Sequence, residues 1–149
     1  MPPCNWNLLP CIVVTTLSLT SCSSDRVPVY PTSGQVLHQG QPAVNALVVL
    51  HPAEPTDELQ YLRTLGRAGP DGSFQLATYE RGDGAPAGKY RVVITWPAPL
   101  PGASPTDEDE SRARGGPDQL GGRYRDPEQT PLTAVITKGA NELPPFNVE

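Results

Sequence analysis

Proline and glycine constrain this chain more than any other feature of its sequence. Nineteen prolines and fourteen glycines are spread along 149 residues, while aromatic side chains make up only 6%. Proline removes a backbone donor and glycine weakens a helix, so the balance favours short strands joined by many turns. No segment predicts a helix of three turns, and the two halves show no internal repeat. The length suits one domain with a single buried core. A formal net charge of -5, without any run of Lys or Arg, gives nucleic-acid binding no electrostatic footing.

The first charged side chain is Asp25. Before it, Leu8 to Leu19 is mostly apolar and short for a bilayer span, the length of a secretory leader core. Leu19, Thr20, Ser21 and Cys22 follow in a pattern that resembles a bacterial lipobox. The resemblance implies a signal peptide over 1–21, a diacylglycerol on the Cys22 thiol, and a mature chain beginning at Cys22. Cys4 and Cys11 would leave with the leader, so no disulfide is expected and packing alone must hold the domain together. A diacylated thiol carries the two chains that stable anchoring requires.

Residues 22–33, with prolines at 28 and 31, read as an extended tether. Beyond it the apolar pattern predicts about seven short strands. The first runs near Gly34 to His38, and a turn at Gln39 to Pro42 leads to a strongly apolar strand at Asn45 to His51. A third is expected at Tyr61 to Arg67. Pro70, Asp71 and Gly72 then form a hairpin turn, since Asp bonds its own backbone and Gly tolerates positive φ. After it, Phe74, Leu76 and Thr78 alternate with Ser73, Gln75 and Ala77. A further turn containing Gly88 precedes the strongest alternation, in which Tyr90, Val92, Ile94 and Trp96 face the core and Lys89, Arg91, Val93 and Thr95 face away. Pro97 to Gln119, rich in proline and acidic residues, reads as a mobile loop. Leu132, Ala134 and Ile136 mark another strand. Pro144 and Pro145 push the last one to a sheet edge or delay its start. Together these predict an all-β sandwich over 34–149.

Three pieces of the sequence carry a resemblance. Gly34, Val36, Gly40, Pro42, Ala46, Val48 and Leu50 form the pattern G-x-V-x-x-x-G-x-P-x-x-x-A-x-V-x-L, and "DGSFQL" and "PAGKYRVVI" follow in order. This looks like the carboxypeptidase regulatory-like domains, which adopt a transthyretin-like, Ig-like β-sandwich. In that family these positions build the fold, so the resemblance implies architecture more than chemistry.

The residue types that could carry chemistry lack the spacing to do so. His38 and His51 each end a strand and meet no ligand pattern for zinc, which takes three or four ligands. Asp71 lies outside any D-x-D-x-D-G run, so a turn is its expected role, and Asp107 and Asp109 are the weaker calcium candidates. No serine has a nucleophile-elbow setting. Pro144 to Glu149 reads PPFNVE, without the Tyr-Arg-Gly-Ser of the transthyretin-like hydrolases. A lysine–asparagine crosslink would need a buried lysine, and Lys89 and Lys138 are expected in solvent. A sugar platform would draw on Trp96, Tyr79 or Tyr124.

The sequence therefore predicts a non-enzymatic, monomeric, membrane-anchored envelope lipoprotein that needs no cofactor. Its expected partners are the membrane through Cys22 and an envelope protein or polysaccharide. The alternatives are a calcium- or carbohydrate-dependent adhesion domain and a hydrolase with a loop-built site.

Overall fold

In the computed structural model, residues 26–99 and 116–149 are described, and no helix occurs among them. The elements are β1 (Val29–Tyr30), β2 (Thr32–His38), β3 (Gln41–Pro42), β4 (Leu47–Pro52), β5 (Thr64–Arg67), β6 (Ser73–Gln75), β7 (Ala85–Pro86), β8 (Gly88–Thr95), β9 (Thr133–Ile136), β10 (Asn141–Glu142) and β11 (Phe146–Val148). The fold is all-β and sandwich-like. The seven strands longer than two residues correspond to the seven expected from the apolar pattern.

One layer is a four-stranded antiparallel sheet in the order β5-β4-β8-β9. The other is organised around β2. Shared register partners place β10 and β11 on one edge of β2, running parallel to it, and β3 and β6 on the other, running antiparallel. The layers meet at the β5–β6 side, where Leu65 and Ala77 exchange both backbone hydrogen bonds at 3.0 and 2.8 Å. The Thr64 and Thr78 hydroxyls bond at 2.8 Å beside that bridge.

The core lies between the layers. Val36, Phe74, Leu76, Phe146 and Val148 face Val48, Leu50, Tyr90, Val92, Ile94 and Ile136, all of them buried. The Phe74 and Phe146 rings stack with centroids 6.2 Å apart. Gly34 is where this packing touches the backbone: a Cβ there would sit 2.6 Å from Cζ of Phe74. A side chain at 34 would displace the ring, so the glycine serves close approach. Along β8, Tyr90, Val92 and Ile94 are buried and Lys89 and Arg91 exposed, as alternation requires. Val93, expected to face away, is buried too, on an interior strand flanked by β4 and β9.

Four boundaries depart from the sequence reading. The tether is shorter than 22–33, because Val29 and Tyr30 pair with Pro86 and Ala85, and β2 already begins at Thr32. The β2–β3 turn contracts to Gln39 and Gly40, both with positive φ (50° and 78°), the primed geometry that a two-residue hairpin needs. β5 starts at Thr64, which leaves Tyr61 outside the sheet with 82% of its surface exposed. The 97–119 loop is held at its base. Ala98 donates to Pro117, Gly116 to Ala98 and Gln119 to Trp96, at 2.8–3.0 Å.

Candidate functional site

Four aspartates in the described loops, Asp71, Asp83, Asp118 and Asp126, bond to backbone N–H groups in or beside their own turns. Oδ1 of Asp71 accepts the Ser73 hydroxyl at 2.6 Å and the Ser73 backbone N–H at 3.0 Å. Those two bonds, the hydroxyl's first, hold its carboxyl below the ordinary value. Gly69 donates to the Ser73 carbonyl and Gly72 to the Gly69 carbonyl, and Gly72 has φ 79°. Asp71 therefore sits in the turn joining the two layers, as its turn chemistry predicts.

Asp83 does the same on a larger scale. Oδ1 accepts the N–H of Thr78 at 2.7 Å, and Oδ2 accepts those of Tyr79 and Glu80, each at 2.9 Å. Burial pushes this carboxyl upward, and the three amide bonds outweigh it, so the net shift is downward. Asp118 accepts the N–H groups of Trp96, Leu120 and Gly122 at 2.8, 3.1 and 3.0 Å. Asp126 accepts the Glu128 N–H and the Gln129 amide. Among the described residues no three His, Cys, Asp or Glu side chains gather as a metal would require.

The histidines do not meet. β2 and β4 lie in different layers, and His51 is exposed and in register with Arg91. His38 departs from the expected exposed strand end: its ring lies 5.1 Å from that of Trp96, with Nδ1 buried and without a hydrogen-bond partner. Gly88, expected in a turn, is the first residue of β8 and pairs with Ile136. The aromatic platform is likewise redistributed. Tyr124 is buried, and Trp96 packs on the core while its Nε1 donates to the Val44 carbonyl at 2.9 Å. Lys89 and Lys138 are exposed. Leu19, Thr20, Ser21, Cys22, Asp107 and Asp109 lie outside the described residues.

One concave feature was not legible in the sequence. Arg26, Val27, Pro28, Glu58, Leu62 and Tyr79 line a groove of about 480 Å³ where the chain joins the sandwich. The Arg26 guanidinium lies over the Tyr79 ring, 5.2 Å from its centroid, and the Tyr79 hydroxyl donates to the Val27 carbonyl at 3.3 Å. The sequence offered no signal for it, because three distant segments meet there. Its chemistry is mixed: one cation, one carboxylate, one aromatic face and apolar walls.

No family model, curated protein or solved structure matches the chain.

Proposed function

We propose that this protein is an envelope lipoprotein in which a diacylated Cys22 holds a non-catalytic β-sandwich at a membrane, where it binds or spaces an envelope protein or polysaccharide. The observation that carries the reading is the use made of the loop carboxylates. Asp83 and Asp118 spend both oxygens on nearby backbone N–H groups, and Asp71 and Asp126 each give one oxygen to such a group, which stiffens the loops that a binding surface presents. A general base or calcium ligand needs those lone pairs free. The finer family assignment, a carboxypeptidase regulatory-like domain, is supported by the Gly34–Leu50 pattern and by the Phe74 ring that makes Gly34 necessary.

The test is metabolic labelling with palmitate in a bacterial host, comparing the wild type with Cys22→Ala. The wild type should take up label, run smaller than the unprocessed Cys22→Ala chain and pellet with membranes. Equal, unlabelled chains of one size would end the lipoprotein reading. A rise in melting temperature at millimolar calcium would instead favour calcium-dependent adhesion.

A further inference from the structure

We propose that the end of the sandwich carrying Arg26, Glu58, Tyr61 and Leu62 is a membrane-docking face that lies against the zwitterionic headgroup layer. This inference rests on the reading of Cys22 as the anchor, and it follows from chain length. Only residues 23–25 separate Cys22 from Arg26, and Arg26 is already fixed over Tyr79. Four residue steps span at most about 14 Å. The sandwich is longer than that: Tyr90 pairs with Pro52 at the tether end, and Trp96 lies six residues further along the same chain, about 20 Å of strand away. A body longer than its tether cannot present every face to the bilayer equally. The groove residues are held within reach of it, and the tether keeps their effective concentration there high.

The side chains on that end suit the headgroup layer. Tyr61 is 82% exposed, three residues from Glu58 and next to Leu62, which lines the groove. An exposed tyrosine is amphipathic, with an apolar ring for the acyl boundary and a hydroxyl for the wet side. Arg26 supplies a guanidinium for lipid phosphate, and Glu58 a carboxylate for the ammonium group. Glu54, Asp57 and Glu58 share their loop with Arg63, and Arg26 lies across the groove, a near-balanced mixture of charges that matches a zwitterionic surface better than a strongly anionic one.

The opposite end provides an internal control. Trp96, against His38 and Val44, belongs to it and is the one tryptophan in the chain from Cys22 onward. That chain contains every strand of the fold. It is coupled through the Cys22 thiol to maleimide lipid in phosphatidylcholine vesicles that also hold a headgroup-nitroxide lipid. Tyr61→Trp is compared with the unmutated chain, and Gln60→Trp repeats the measurement from a second exposed position. The expected result is loss of most of the emission added at 60 or 61, with Trp96 emission unchanged. Equal quenching at both ends, or none at 60 and 61, would overturn the docking face. Because the coupling is chemical, the outcome does not depend on acylation in cells, so a failure of palmitate labelling and a failure of docking are told apart.

Discussion

Oδ1 of Asp118 accepts the backbone N–H of Trp96 at 2.8 Å, and one side chain thereby ties the end of β8 to a segment 22 residues later. The same carboxylate accepts from Leu120 and Gly122, so it organises the return of the chain as well as its closure. Turn-forming aspartates like this one, more than any catalytic group, give the described loops their shape.

Removing that acceptor should be costly. Asp118→Ala leaves three amides without their anionic partner, an expected loss of roughly 2–4 kcal/mol, since bonds to charged groups are among the stronger ones. Asp118→Asn, which keeps one oxygen, should lose about half as much. Urea unfolding of the three proteins measures this, and an unchanged midpoint for the alanine variant would refute it.

Gly40 and Gly72 separate backbone strain from crowding. Their φ values are nearly equal, 78° and 79°, but a Cβ at 40 meets nothing within 4 Å while one at 72 lies 2.6 Å from the Val36 carbonyl. Gly40→Ala should cost about 1–2 kcal/mol, the penalty of the left-handed region alone. Gly72→Ala should cost more, about 3 kcal/mol or above, because the clash also disturbs the Val36–Gly72 hydrogen bond. Thermal melts of the two variants rank them directly.

Burial pushes the Tyr90 phenol up to about 12, and its hydroxyl donates to the Pro86 carbonyl at 2.9 Å. A folded value above the unfolded one means that this contribution to stability is complete below about pH 10 and is lost as pH rises through 12. Spectrophotometric titration should show the Tyr90 phenolate appearing late. Tyr90→Phe should remove that phase and destabilise the neutral-pH protein by about 1 kcal/mol.

At the acid end the sign reverses. The Asp83 carboxyl is depressed on folding, so its contribution is complete above the ordinary carboxylate value of 3.8 and is lost as pH falls through the lower folded value. Asp83→Asn should therefore weaken the protein at neutral pH and flatten its acid limb. Denaturation midpoints across pH 2 to 6 check this, and a limb as steep as the wild type's would count against it.

Ala98, Gly116 and Pro117 close the base of the 97–119 connection through backbone hydrogen bonds. Replacing residues 100–115 with a short Gly-Ser linker should change stability by no more than about 1 kcal/mol, because loop entropy grows slowly with length. A large loss on unfolding in urea would show that the segment packs on the sandwich.

Much of the architecture was legible before any coordinates. Alternation placed β8 and its buried set Tyr90, Val92 and Ile94, and the continuous run Ala46–Leu50 marked the central strand β4. Turn chemistry placed Asp71 and Gly72. The Asp83 and Asp118 anchors were less accessible, because they grip amides at positions where the sequence shows only a loop. Tyr61 was misplaced for a related reason: apolar pattern alone does not show where a strand loses its partner, and β5 pairs with β4 only from Thr64 onward.

By itself the sequence determined strand content, the facing of most side chains and the positions of the turns, because period-two alternation and turn propensities act over a few residues. Tertiary structure alone decided that β10 and β11 run parallel to β2, that Phe74 lies across Gly34, and that Arg26, Glu58 and Tyr79 line one groove. Those relationships join residues far apart in the chain. They are set by which edges remain unpaired and which volumes remain unfilled once the layers pack.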